Sequence, residues 1–329
     1  MVEVTSRTKL RQNTPGRFVA TARTTFGQYL EAWLASAPAN YAGKTFERFE
    51  SMAKLHLLPA LGAIPLARLS PMDLRYAYAQ WRKKLSAQTV LHHHRLIHRV
   101  LGQAVEDRLI PRNAAAFSRS NRPRAPRAET RFFSSDEIVT LLQTAQGNPL
   151  RPLIVMALAT GARRGELLGL KWSDVNFERG TVAIRRALEQ TRRGVIEKTP
   201  KNGKSRMLPL PASAMELLQR RRGTHANTDY IFPGPNHDAW TPHKVTDRFR
   251  ELCRKAKIVG GSFHSLRHTA ATQMLELEVP PKVVQERLGH STIAITMDLY
   301  SHATPSLQLE ASRRIDGVLT RLLSEAGCE

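Results

Sequence analysis

The feature that most restricts how this chain can fold is a stretch without hydrophobic periodicity at residues 118–129. It reads SRSNRPRAPRAE, and its two prolines and four arginines favour a linker over a helix or a strand. A chain of 329 residues is long enough for two domains that each bury their own core. We therefore expect a helical domain at residues 25–117 and a second domain at 130–329, with a basic, mobile tail at 1–24.

The helical domain is predicted from apolar side chains that recur with the spacing of one helix face. The first helix is indicated by Phe26, Tyr29, Leu30, Trp33 and Leu34. Three more helices are predicted over residues 42–57, 70–85 and 88–108. The third of the four has a strong start signal, because Ser70 suits the N-cap, a proline follows in the first turn, and Asp73 is the third residue. Four helices predict a compact all-α domain.

The second domain is expected to contain a small antiparallel sheet among its helices. Between residues 181 and 210 the hydrophobic period changes from that of a helix to that of short strands. Strands are predicted at 181–184, 195–196 and 207–210, and the turns between them at Arg193-Gly194 and Asn202-Gly203.

Helical patterns return after these strands, and the last two are predicted at residues 292–300 and 307–323. The final helix is amphipathic, with one apolar face formed by Leu307, Ala311, Ile315, Val318 and Leu322. The expected fold class is therefore mainly α with a small antiparallel β-sheet. We expect a two-domain clamp in which an all-α domain is followed by a mixed α+β domain.

The charge of the chain predicts a polyanionic partner. The sequence has 50 basic and 28 acidic residues, a net charge of +22, and such an excess repels itself in a free protein. No apolar run approaches the roughly 18 residues that a membrane span needs, so no membrane partner is expected. Cys253 and Cys328 are too few for a disulfide framework, and the N-terminus has no apolar secretion segment, so we expect a cytoplasmic protein.

Residues that can carry chemistry lie in three short motifs of the second domain and end on a tyrosine. The motifs are TGARRGE at 160–166, HSLRH at 264–268 and LGH at 288–290, with Tyr300 ten residues after the last histidine. Two arginines, two histidines and a tyrosine are what a metal-free phosphoryl transfer onto a phenol requires. The phosphate oxygens gain negative charge during such a reaction, and planar guanidinium groups match them with paired hydrogen bonds.

The order and spacing of T-G-x-R-x-x-E, H-x-L-R-H, L-G-H-S and the tyrosine resemble those of tyrosine recombinases, the phage integrase family. The resemblance covers residues 25–325 and implies a helical core-binding domain, a linker and a catalytic domain. It implies seven functional positions: the catalytic arginines Arg163 and Arg267, the histidines His264 and His290, the nucleophile Tyr300, the supporting acid Glu166 and the hairpin lysine Lys201. The three-residue spacing to Glu166 selects Arg163 over the adjacent Arg164.

The implied reaction is cleavage of DNA through a covalent 3′-phosphotyrosine. A tyrosine has an ordinary pKa of about 10, so its attack needs help to remove the proton. His264 is a candidate for that base, and the alternative role for it is a hydrogen-bond donor to the phosphate. The leaving 5′ oxygen needs a proton from a lysine. Lys201 is the preferred candidate for that lysine, although Lys198 and Lys204 flank it. No ATP or other cofactor is expected.

No metal is expected either. His264 and His268 have the spacing of a zinc protease helix, but the position of its general-base glutamate holds Ser265. Three consecutive histidines at 92–94 point about 100° apart on a helix and cannot easily converge on one ion. We expect these three histidines on a solvated or DNA-facing helix surface.

The resemblance also implies partners and alternatives. We expect double-stranded DNA with a specific recombination site, a homotetramer on that DNA, location at the nucleoid, and an accessory DNA-bending or directionality protein as a further candidate partner. The helix at 307–323 is expected to dock onto a neighbouring copy. Three alternatives remain: a type IB topoisomerase-like enzyme, a recombinase that resolves chromosome dimers, and a non-catalytic DNA-binding protein, which the complete set of catalytic positions disfavours.

Overall fold

A computed structural model describes residues 23–37, 41–116, 122–126, 131–200, 203–224, 229–234 and 239–326, without the side chains of 298–311. Nearly all of the predicted tail at 1–24, most of the predicted linker at 118–129, and Lys201 lie outside the described residues. The chain divides into two compact units, Met1–Ala128 and Glu129–Glu329. The predicted fold class is confirmed, since the described residues are mostly helical and include a small antiparallel sheet.

The first unit is all-α within its described residues. Its helices are α1 (Phe26–Ser36), α2 (Gly43–Met52), α3 (Leu58–Leu61), α4 (Pro71–Arg82) and α5 (Ala87–Glu106). Side-chain caps explain where three of them begin. Thr25 and Ser70 form reciprocal capping boxes with the third residues of α1 and α4, and Ser86 caps α5.

The second predicted helix extends further than the sequence indicates. We predicted a helix over residues 42–57 that stops near Pro59. In the structure a π-helical turn, Ala53–Leu57, joins α2 to α3, and the helical backbone continues to Leu61. Pro59 is tolerated because it lies in the first turn of α3, where a proline fits the required backbone angle.

The core of the first unit contains two buried histidines. His93 is 0% exposed and packs between the rings of His56 and Trp81, with ring centroids 4.7 and 4.9 Å away. His94 is 4% exposed, and its Nδ1 lies 3.0 Å from the Tyr78 hydroxyl. The expected surface location of residues 92–94 was therefore wrong for two of the three histidines, because aromatic neighbours on other helices enclose them.

Within its described residues, the second unit combines eight α-helices with five short strands. Its helices are α6 (Ser135–Thr144), α7 (Arg151–Thr160), α8 (Arg164–Leu168), α9 (Ala212–Thr224), α10 (Pro242–Lys255), α11 (Phe263–Glu276), α12 (Pro281–Leu288) and α13 (Ile293–Glu325). Its strands are β1 (Val175–Asn176), β2 (Thr181–Ile184), β3 (Ala187–Thr191), β4 (Gly194–Lys198) and β5 (Arg206–Pro209).

The strands form two antiparallel sheets. Strand β2 lies between β1 and β5, with Val182 opposite Leu208, while β3 and β4 form a separate hairpin. The predicted strands correspond to β2, β4 and β5. Strands β1 and β3 were not predicted, because β1 has only two residues and β3 reads ALEQT, without the β-branched alternation that marks a strand.

The chain ends differently from the prediction. Residues 292–300 and 307–323 were predicted as two helices, but a single helix, α13, spans Ile293–Glu325. Pro305 lies between the two predicted segments and inside this single helix. A proline removes only one backbone N–H from the helical ladder, so one such residue does not by itself end a helix that continues on both sides. No helix of the described chain is both long enough and apolar enough to cross a membrane.

Acid should destabilise the first unit through its two buried histidines. Burial is the main cause that lowers the pKa of His93 and of His94 to about 4. The unfolded chain, with an ordinary pKa near 6.5, then binds more protons, so stability is present above about pH 6.5 and is lost as the pH falls toward 4. We expect a loss of roughly 2–3 kcal/mol per histidine at about pH 4.5, measured by calorimetry of the full chain.

Two variants test this pH dependence. His93→Phe keeps a ring in the core but cannot titrate, so its helical unit should lose less stability between neutral pH and mild acid. An exposed histidine of the second unit provides the control, and His243→Gln should keep the wild-type dependence. A wild-type melting transition that does not move over this range would contradict the explanation.

Candidate active site

Two glycines bring the first and third motifs together. Gly161 ends α7 with φ 62°, and Gly289 ends α12 with φ 66°. This left-handed conformation suits glycine and is a common way to end a helix. A Cβ atom on Gly161 would lie 2.3 Å from Leu288 Cδ2, so the ends of α7 and α12 approach more closely than any side chain at position 161 would allow.

Each predicted catalytic arginine donates to one of these glycines. Arg163, the N-cap residue of α8, donates from Nη2 to the Gly289 carbonyl at 3.1 Å. Arg267, on α11, donates from Nη1 to the Gly161 carbonyl at 2.7 Å. Both carbonyls lie at the ends of helices, so the bonds occupy backbone acceptors there while they fix both guanidinium groups. Three motifs that are distant in sequence thus meet at one place.

Glu166 provides a buried negative charge beside Arg163. Its side chain is 1% exposed and accepts from Arg163 Nη1 at 2.9 Å and from the Arg163 backbone N–H at 3.0 Å. A third donor, Arg206 Nη2 on β5, lies 2.7 Å from the same carboxylate. Burial alone would raise the pKa of Glu166, but Arg206 and Arg163 outweigh it and hold that pKa below its ordinary value.

Arg206 is a site residue that the sequence reasoning missed. Besides its bond to the carboxylate, Arg206 donates from Nε to the Arg287 carbonyl at 2.9 Å. Its guanidinium group also packs against Gly289, where an added Cβ atom would lie only 3.0 Å from Arg206 Nη1. The one available signal was strand alternation. Arg206 shares a strand face with the buried Leu208, and an arginine that points into a core requires an acidic partner.

The second arginine retains an unused donor. Arg267 is 4% exposed, and its Nη2 has no hydrogen-bond partner among the described residues. Burial, and then the positive charge of Arg163, lower the pKa of Arg267 to about 9, so the group stays charged at neutral pH but lacks compensation. An anion that accepts from Nη2 would supply that compensation.

The two predicted histidines belong to the same positively charged region. His264, one turn before Arg267, remains accessible to solvent, and its ring meets that of His268 edge-on at 4.7 Å. Enclosure by the protein, followed by the charges of His268 and Arg267, lowers the pKa of His264. Burial, and then Arg267 and Arg163, lower the pKa of His290 to about 4. Both pKa values lie below 7, so both rings are neutral near pH 7.

A cavity of about 820 Å³ opens beside this cluster, and its lining includes Arg163, Lys204, Arg206, Arg287 and His290. Of the three lysines considered for the hairpin position, Lys201 lies outside the described residues. Lys198 is engaged, because its Nζ lies 2.5 Å from Glu189 Oε1 on the paired strand. Of these three lysines, Lys204 lines the same cavity as Arg163.

The structure thus gathers five of the seven predicted positions and leaves two undecided. Arg163, Glu166, His264, Arg267 and His290 lie in one region. The backbone of Tyr300 lies in α13, but its side chain is not among the described parts of the chain. Lys201 lies entirely outside the described residues. Within the described residues no group of three or more histidine, cysteine or acidic side chains is arranged to hold a metal ion.

Sequence models of known protein families match segments in both units of the chain. The sequence model of the phage integrase family matches residues 131–306, and that of the phage integrase N-terminal SAM-like domain matches residues 25–85. A tyrosine recombinase XerC-like protein of Caldanaerobacter subterraneus subsp. tengcongensis is 25% identical over 318 residues, which cover 87% of this chain and 81% of that protein. An integrase of Streptomyces ambofaciens is 25% identical over 342 residues, covering 95% and 85%.

Solved structures show the same fold. The Tn1549 transposon integrase in complex with a circular intermediate DNA superposes with a TM-score of 0.80 at 22% identity, covering 88% of this chain and 99% of that chain. A lambda integrase dimer bound to a COC′ core site superposes with a TM-score of 0.69 at 19% identity, covering 84% and 77%.

The family assignment rests on the sequence match rather than on these superpositions. The matched segment, residues 131–306, is more than half of the chain and contains all three motifs and Tyr300. The chain therefore belongs to the phage integrase family, the tyrosine recombinases.

Proposed function

We propose that the chain is a site-specific DNA recombinase that cleaves and rejoins strands through a 3′-phosphotyrosine, in the integration or excision of a phage or mobile element. One observation carries the proposal. The unused donor of the buried Arg267 lies in the same cluster as Arg163 and His290, and together they provide a cationic site for an acceptor-only ligand such as a phosphodiester. The relatives named integrases, from Streptomyces and from Tn1549, support the mobile-element role.

The proposed reaction needs no cofactor. The Tyr300 oxygen attacks phosphorus and loses its proton to His264, and the bond from phosphorus to the 5′ oxygen breaks. Arg163, Arg267 and His290 donate to the non-bridging oxygens as their negative charge grows, which is where such donors have the largest effect. The 5′ oxygen leaves with a proton from the lysine. A 5′ hydroxyl of another strand then loses its proton to the lysine and attacks the phosphorus. The bond from phosphorus to the Tyr300 oxygen breaks, and that oxygen recovers its proton from His264.

Lys201 remains the proposed proton donor to the 5′ oxygen. The ion pair of Lys198 with Glu189 argues against Lys198, since proton loss would leave a half-buried carboxylate without its partner. Lys204 is the alternative, because it lines the cavity beside Arg163.

The proposed partners are double-stranded DNA with a specific recombination site and three further copies of the chain. The net charge of +22 supports a polyanion, and one similar structure is a lambda integrase tetramer bound to a Holliday junction. We assign the helical segment 25–117 to core binding, the segments 1–24 and 118–129 to a basic tail and a linker, and residues 130–329 to catalysis. The two domains would clamp the duplex in the cytoplasm at the nucleoid, with an accessory DNA-bending or directionality protein as a further partner.

A second candidate function is the resolution of chromosome dimers. Relatives named XerC support it, among them one of Xanthomonas campestris pv. campestris that is 29% identical over 252 residues, covering 74% of this chain and 73% of that protein. A topoisomerase-like monomer receives less support, because the end of α13 has a surface suited to contact between copies.

This surface is an apolar stripe on the last four turns of α13. Its members are about half exposed and recur with helical spacing: Ile315, Val318, Leu319, Leu322 and Leu323. All described side chains from Ser312 to Ala326 are exposed, and the ion pair between Arg314 and Glu278 lies at the start of this segment. A neighbouring copy in the assembled complex is the proposed occupant.

The nucleophile is tested by covalent capture on DNA. Nicked duplexes with randomised arms release the 5′ strand after cleavage and trap the protein on the 3′ phosphate, and sequencing of the trapped strand yields the target. Wild-type protein should form an adduct that survives denaturing electrophoresis, and Tyr300→Phe should form none. An adduct of undiminished yield with Tyr300→Phe would disprove the assignment.

Glu166 should control cleavage through Arg163. Glu166→Gln keeps the shape but leaves two buried guanidinium groups without their counter-charge, a change that costs roughly 3 kcal/mol in unfolding free energy. We expect the single-turnover cleavage rate on the captured duplex to fall about 100-fold, the scale of a lost transition-state donor. The same change in an exposed pair, Glu216→Gln, is the control and should leave both quantities at wild-type values. Equal rates for the two variants would contradict this role.

The apolar stripe should be required for assembly and not for folding. Leu319→Asp places a charge in its centre and should reduce the cooperativity of binding to a full recombination site, measured by native gel shift, with an unchanged melting temperature. Thr320→Asp adds the same charge one residue away, off the stripe, and should assemble normally. Wild-type cooperativity in Leu319→Asp would show that the stripe has another occupant.

A further inference from the structure

Thr296 makes a contact that the reaction described above does not use. Its side chain is 0% exposed, and its Oγ1 lies 2.9 Å from Nδ1 of His290. Thr296 lies in the first turns of α13, four residues before Tyr300. The contact therefore connects the ring of one proposed phosphate ligand to the helix that carries the proposed nucleophile.

The main chain of His290 is held separately from its ring. The His290 N–H donates to the Gln285 carbonyl at 3.0 Å, and Gln285 Nε2 donates to the His290 carbonyl at 3.4 Å, so the backbone belongs to the end of α12. The ring, in contrast, has its partner on α13. Because Thr296 is fully buried, water cannot replace its hydroxyl, and the orientation of the ring depends on that one side chain.

The direction of this hydrogen bond decides which ring nitrogen carries the proton. Other helical threonines of this unit, such as Thr140, Thr144 and Thr269, donate to the carbonyl four residues earlier. Within the described residues, the contact with His290 is the one side-chain hydrogen bond that Thr296 makes. The hydroxyl proton of Thr296 is therefore free to point to Nδ1 of His290. A hydroxyl that donates to Nδ1 leaves the proton of a neutral imidazole on Nε2.

We propose that Thr296 is a positioning residue, which holds His290 in the tautomer that donates from Nε2 to the scissile phosphate and makes this orientation depend on the placement of the nucleophile's helix. A phosphodiester oxygen only accepts hydrogen bonds, so the opposite tautomer would place a lone pair against it. A displacement of α13 from α12 moves Tyr300 and withdraws Thr296 from His290 together. This inference rests on the proposed function, in which His290 contacts the phosphate.

The first test is spectroscopic and needs no DNA. In ¹⁵N-histidine-labelled protein near pH 7.5, the ring signals assigned by comparison with His290→Ala should show the proton on Nε2. In Thr296→Val, which keeps the shape and removes the hydroxyl, they should shift toward a mixture of the two tautomers. Wild-type signals with the proton on Nδ1, or signals unchanged in Thr296→Val, would overturn the proposal whether or not the protein cleaves DNA.

The second test is a double-mutant cycle on the captured nicked duplex. Thr296→Val should lower the single-turnover cleavage rate roughly tenfold, the effect of one lost hydrogen bond in the transition state, with unchanged DNA affinity and melting temperature. Thr296→Ser should restore most of the rate. In a His290→Ala background Thr296→Val should cause no further loss, because its effect passes through that ring.

Other outcomes separate the positioning role of Thr296 from the proposed recombinase function. A tenfold loss that persists in the His290→Ala background would mean that Thr296 only supports the fold of α13, and a wild-type rate in Thr296→Val would mean that the hydroxyl has no role. Either result overturns the positioning role and leaves the recombinase proposal intact. If wild-type protein forms no adduct with any duplex, the proposed function fails, while the ¹⁵N spectra still decide the tautomer.

Discussion

Two guanidinium groups share the buried carboxylate of Glu166, and the arrangement of the catalytic unit depends on that shared charge. Arg163 and Arg206 come from α8 and β5, and both continue past the carboxylate to carbonyls at the end of α12. A buried charge of either sign is costly alone, so the three side chains stabilise one another only when helix, strand and helix end are all in place. The position of Arg163 is therefore a property of the whole unit.

The same cluster contains fewer negative than positive charges. One carboxylate faces Arg163 and Arg206, while Arg267 keeps an unused donor and the rings of His264 and His290 resist protonation. Such an imbalance is unfavourable in the free protein and becomes favourable when a phosphodiester arrives. In the proposed function, the substrate brings the negative charge that these arginines lack.

The sequence predicted what is encoded locally and missed what is encoded by tertiary contact. Motif spacing identified Arg163 and Glu166 because they lie one turn apart on α8, whereas Arg206 is 40 residues from its carboxylate, and no local pattern names that partner. The consecutive histidines were misplaced for the same reason, since His56 and Trp81, on other helices, enclose His93. Helical periodicity predicted most helices well, but the continuous α13 shows that one proline does not set a boundary.

The hydrogen bonds that hold Arg163 and Arg267 join distant parts of the sequence, and this affects when the site can form during synthesis. Arg163 is held by the Gly289 carbonyl, which lies 126 residues away in the third motif. Arg267 is held by the Gly161 carbonyl, which lies 106 residues away in the first motif. A chain cut short before Gly289 keeps the Gly161 anchor of Arg267 but lacks the Gly289 anchor of Arg163, so only one of the two guanidinium groups is fixed. During synthesis both arginines can therefore be fixed only after the chain has passed Gly289, so the proposed cleavage of DNA is restricted to nearly complete molecules.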